Sequence, residues 1–144
     1  MAKKRPGVVD GRRVAIVDGL RTPFAKSGTD FKDVSTLGLA QAVVTELLIR
    51  SGLDSGEVDR VVYGSVVQDV SAPNIAREIV LSTTIPDDTD AFSVSRACAT
   101  STQSFVDGAQ AILLGEADIV ITGGADSLSK PPVMFSDEFV EVMM

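Results

Sequence analysis

The sequence predicts an α/β fold in which a mostly parallel sheet, in the order βαβαβαβ, carries helices on its faces. Three observations lead there. Short β-branched runs alternate with longer segments of helical period. The chain has 144 residues, 44% of them hydrophobic and 23% charged, which is enough for one buried core. A single cysteine, Cys98, and no histidine leave no disulfide and no Cys/His zinc site to brace the fold, so apolar burial must do so.

The first strand is read at residues 13–17, RVAIV, followed by the turn-rich DGLRTPFAKSG. In TLGLAQAVVTELLIRSG, Leu37, Ala40, Val44, Leu47 and Leu48 share one helical face, and Gly52 is a credible stop. RVVYGSVV, from Arg60, is the second strand. A helix is expected from about Asn74 in NIAREIVLSTT, closed by Pro86 and the acids around it. DAFSVS gives a third strand, STQSFVDGAQAILLGEA a third helix and DIVITGG a fourth strand, with right-handed crossovers expected between them. The third helix spreads Ser101, Ser104, Gly108, Ala109, Ala111 and Gly115 around its circumference, as a helix enclosed on more than one side would. The apolar tail, VMFSDEFVEVMM after SLSKPP, reads as an interrupted start of a further unit at residues 131–144.

Thirteen basic and twenty acidic residues give a net charge of −7, unevenly spread. Lys3, Lys4, Arg5, Arg12 and Arg13 crowd into the first thirteen residues beside one acid, Asp10, so the remainder carries about −11. Residues 1–12 therefore read as a basic leader before a domain at 13–130. A secretory signal is not expected, because charges interrupt any apolar run, and nothing approaches a transmembrane segment. An acidic body with one tyrosine and six phenylalanines argues against nucleic acid as a partner. Asp87, Asp88 and Asp90 lack further ligands at a calcium-loop spacing and read as a solvated loop, so no metal is expected.

Cys98 stands at the junction of the third strand and third helix, in SVSRACATSTQS. Unpaired amides and a positive dipole at a helix start favour a thiolate, and ligands of open α/β sheets collect at the carboxyl ends of strands. The bland alternative is a buried, small apolar residue. On the residues alone the two readings stand level.

VAIVDGLRTPF, NIAREIVL, SVSRACATS and GGADSLS, collinear and at this spacing, resemble the amino-terminal domain of the thiolases. The similarity runs from about Arg13 onward and is nearest to the 3-ketoacyl-CoA thiolase type, the β subunit of fatty-acid oxidation complexes. The resemblance implies a thiolase-like half fold and an acetyl-CoA C-acyltransferase. In it Cys98 would attack a 3-ketoacyl-CoA, release acetyl-CoA and pass the shortened acyl group to coenzyme A, a co-substrate; no other cofactor is expected. It further implies homodimerisation through the strand that runs from Ala91 to Ala97, and a possible α subunit as partner. A bacterial cytoplasmic location is expected, with a mitochondrial one as the weaker alternative. The histidine, second cysteine and asparagine that complete thiolase chemistry lie in a second half and have no counterpart here. The chain therefore reads as truncated and, alone, inactive. Rival readings are a non-catalytic dimerisation module and a ketoacyl-synthase-like condensing domain. Arg77 is expected to brace packing or a subunit contact, Gly123 and Gly124 to close a turn, with close backbone approach near the site as the alternative, and Asp126 to be hydrogen-bonded without a chemical step.

Overall fold

Arg60–Gly64 (RVVYG) is the centre of the sheet because both of its faces are apolar and both of its edges are paired. The computed structural model describes residues 8–9 and 11–144. Its elements are β1 (Val8–Val9), β2 (Arg12–Arg13), α1 (Thr36–Ser51), β3 (Arg60–Gly64), α2 (Ile75–Leu81), β4 (Asp90–Val94), α3 (Thr100–Leu114), β5 (Val120–Gly124) and α4 (Asp137–Met143). The main sheet is parallel, in the order β4-β3-β5, with Gly64 in register with Val94 on one side and Gly124 on the other.

Strand periodicity sorts the core into two faces. Val61, Tyr63 and Ile121 meet Ala40, Val44 and Leu48 of α1 and Ile75, Ala76, Ile79 and Val80 of α2. Val62, also fully buried, points the other way, as do Gly64, Val120, Thr122 and Gly124, the face on which α3 lies. The result is the expected three-layer α/β arrangement.

Local chemistry explains the ends. Ser35 caps α1 by accepting the Gly38 N–H at 3.0 Å, and Gly52, at φ 66°, stops it where predicted. Asn74 caps α2 by accepting the Arg77 N–H at 3.1 Å, and its amide nitrogen donates to the Ala91 carbonyl at 3.2 Å, which ties α2 to β4. Arg77 donates to the carbonyls of Asp87 and Thr89, so it braces the loop before β4. Asp59 accepts the amides of Asp118 and Ile119 at 2.7 and 2.9 Å, fixing the start of β5 and holding its own carboxyl below the usual carboxylate range. At the amino ends of the strands, Arg60 pairs with Asp90 at 2.6 Å and Glu116 at 3.0 Å. Asp90, one of the three loop acids, is thus committed to an ion pair.

The strand expected at residues 13–17 is corrected. Arg13 instead ends a two-residue strand antiparallel to Val8–Val9, and residues 14–27 carry no regular structure. Ile16 and Val17 are 75% and 90% exposed. The β-branched pattern is present, but among the described residues no sheet edge lies alongside to take its backbone hydrogen bonds. Arg12, at the end of the expected leader, reaches the Ile112 carbonyl at 3.1 Å and Asp118 at 3.3 Å; residues 1–7 and 10 of that leader lie outside the described residues. The tail at 131–144 is exposed throughout, with Phe135 and Phe139 stacked on each other at 4.8 Å. Among the described residues no helix is long and apolar enough to cross a membrane.

Two outcomes test this packing. A Cβ on Gly64 would collide with the Val94 carbonyl oxygen and the Thr100 methyl, so Gly64→Ala should destabilise the chain by about 2–3 kcal/mol. In the same urea titration Gly19→Ala, with open space around it, should stay within about 0.5 kcal/mol of the parent. Burial pushes the hydroxyl of Tyr63, the sole tyrosine, up to about 12. Its raised value means a stabilising contribution present in full below pH 10 and lost as pH climbs toward 12. Absorbance at 295 nm should therefore stay flat through the ordinary tyrosine range in the native chain and titrate near 10 in urea. A native midpoint near 10 would show that Tyr63 is not packed as described.

Candidate active site

The chain leaves the sheet at Val94, turns through residues 95–99 and enters α3 at Thr100. Cys98 lies in that turn as a free, exposed thiol, which sets aside the buried-apolar alternative. Ala97, immediately before it, sits at φ +46°, where a residue with a Cβ is sterically penalised. The turn is closed by two backbone bonds, Ala99 N–H to the Arg96 carbonyl at 3.0 Å and Thr100 N–H to the Ala97 carbonyl at 3.1 Å.

Thr100 adds a side-chain clamp. Its Oγ1 accepts the Arg96 N–H at 2.8 Å and donates to the Ala97 carbonyl at 2.7 Å. The residue is 3% exposed, and its methyl sits over Gly64. Ala99, the N-cap, has no side chain that can accept a helix amide. Among the described residues the N–H groups of Ser101 and Thr102 donate to no protein acceptor, so α3 begins with unspent donors beside the cysteine turn. On the outer side of the helix Arg96 donates to Gln103 Oε1 at 2.6 Å, and Gln103 donates on to Asp107 at 2.6 Å.

Beneath this turn the carboxyl ends of β3 and β5 finish in Gly64 and Gly124, side by side. A Cβ on Gly124 would meet Ser101 Oγ, and one on Gly123 would enter the ring of Tyr63. Both glycines therefore serve close approach, the alternative to the simple turn that the sequence favoured. Asp126 Oδ1 accepts the amides of Val66 and Val67 at 2.9 and 2.8 Å, joining the loops that follow β3 and β5. Ser127 completes the join by donating its hydroxyl to the Val34 carbonyl at 2.7 Å and its amide to Thr36 Oγ1 at 3.1 Å. On this side a cleft of about 410 Å³ lies between residues 20–27 and 124–129, floored by Tyr63, Leu39 and Val43. Cys98 does not line that cleft; it belongs to the α3 side of the sheet.

The placement of Cys98 was legible in its sequence neighbours. The left-handed Ala97 and the Thr100 clamp were not: alanine gives no signal for a positive φ, and threonine at a helix start reads as an ordinary polar residue.

Comparison with known proteins follows the same outline. Residues 14–143 match the family model described as the thiolase N-terminal domain. The chain is 54% identical over 134 residues, 93% of its length, to a protein of Shewanella pealeana named 3-ketoacyl-CoA thiolase, covering 31% of that protein. It is 50% identical over all 144 residues to a protein of the same name from Colwellia psychrerythraea, covering 33% of it. It thus spans about a third of the length of these curated relatives. Among solved structures, the acetyl-CoA acetyltransferase of Bacillus anthracis superposes with a TM-score of 0.81 at 29% identity, over 85% of this chain and 31% of that one. The Acat5 thiolase of Ascaris suum, solved in complex with coenzyme A, gives 0.78 at 30% identity, over 82% and 31%. With residues 14–143 matched by the family model and relatives at 50% identity or more over nearly its whole length, the chain belongs to the thiolase family and carries its N-terminal domain.

Proposed function

We propose that Cys98 is the acyl-accepting nucleophile of a thiolase that cleaves 3-ketoacyl-CoA with coenzyme A. The observation that carries this reading is an exposed thiol at the end of β4, in a turn that leads into a helix whose first amides are unspent. In the reaction the sulfur of Cys98 adds to the 3-keto carbonyl, and the oxygen of the tetrahedral adduct takes its charge toward donors such as the Ser101 and Thr102 amides. Collapse breaks the bond between C2 and C3; acetyl-CoA leaves with a proton on C2, and the shortened acyl group stays on Cys98 as a thioester. The thiol of coenzyme A then attacks that thioester and returns Cys98 to its starting state. Coenzyme A is a co-substrate here, and no metal or other cofactor enters the scheme.

The partners follow from the same reading. Acyl-CoA and coenzyme A are the small-molecule partners, and β4, an edge strand of the described sheet, is the element through which two copies would pair. That interface covers residues 91–97. The name 3-ketoacyl-CoA thiolase, borne by bacterial relatives, supports a place in fatty-acid β-oxidation; an α subunit as companion and a cytoplasmic location extend the proposal. Phe105 and Val106 on the outer side of α3 are exposed apolar surface, as the expected second half of a thiolase would require.

The proton of Cys98 needs an acceptor, and the 144 residues hold no histidine. The chain by itself should therefore catalyse thiolysis slower than a complete thiolase by roughly 10³-fold or more, as when a nucleophile loses its base. Steady-state release of acetyl-CoA from acetoacetyl-CoA measures this, and efficient turnover by the isolated chain would overturn the assignment of roles. Incubation with a reactive acyl thioester at alkaline pH should still add one acyl group, found by mass spectrometry on Cys98 and absent in Cys98→Ser.

A further inference from the structure

We draw no further inference here: the strongest candidate, the cleft of about 410 Å³ between residues 20–27 and 124–129, floored by the buried Tyr63, lies beside β5, whose outer edge is unpaired among the described residues, and nothing in the structure shows what covers it.

Discussion

The separation between α3 and the sheet sets everything built above it. Gly64, Gly108 and Gly124 each withhold a Cβ at the contact, and the vacated space is taken by the Thr100 methyl, the side chains of Val120 and Thr122, and Ser101 Oγ. Close packing of this kind tolerates little: one added methyl must displace a backbone carbonyl or a β-branched neighbour. Because the helix lies this low, its first turn starts level with the ends of β3 and β5. A buried threonine there can touch the sheet with its methyl and the preceding turn with its hydroxyl. Were the helix to ride higher by the width of a methyl group, the residue could not do both.

The two ends of the sheet are built on different chemistry. At the amino ends, Arg60 gathers Asp90 and Glu116, and Asp59 collects two backbone amides at the start of β5. The ion pairs are partly exposed, so each contributes modestly, but they share one arginine whose geometry is fixed by the central strand. At the carboxyl ends, charge gives way to glycines, small hydroxyls and backbone donors. Two charged side chains remain there: Asp126, whose Oδ1 is occupied by the amides of Val66 and Val67, and Arg96, which donates to Gln103 from the cysteine turn. Among the described residues the ion pairs thus sit away from the end of the sheet that carries the thiol.

Much of this could be read from the residues in order, and what could not has a common cause. α1 and α3 declare themselves by spacing, α1 by its stop at Gly52, α2 by its start at Asn74, and the three paired strands by their β-branched runs between turn residues; α2 itself ends at Leu81, where Ser82 takes over helix carbonyls, and not at Pro86. Cys98 is placed by the junction in which it stands. Residues 13–17 have an equally good strand pattern and form no strand in the sheet, because pattern reports what a segment prefers and not whether an edge is available to it. Gly123 reads as a turn glycine for a related reason: the ring that fills its missing side chain belongs to Tyr63, on another strand, and no local rule links the two. Thr100 shows the same blindness over a shorter span, since its hydroxyl is spoken for by a turn whose shape depends on an alanine in a conformation alanines avoid.

The contacts that shape the cysteine turn differ from those of the neighbouring cleft in how much chain they enclose. Every bond that defines the turn, from Arg96 to Thr100 and on to Gln103, spans seven residues or fewer. The bonds that join the cleft walls, from the Ser27 hydroxyl to the Leu128 carbonyl and from the Gly28 amide to Ser129 Oγ, each span 101 residues. Closing a long loop costs more chain entropy than closing a short one, although the cost grows only logarithmically with length. The hydrogen bonds of the turn are thus local to β4, the turn and α3, while its seat on the sheet is supplied by Gly64 and Gly124 of the neighbouring strands. The cleft, by contrast, exists only once distant parts of the chain have found one another.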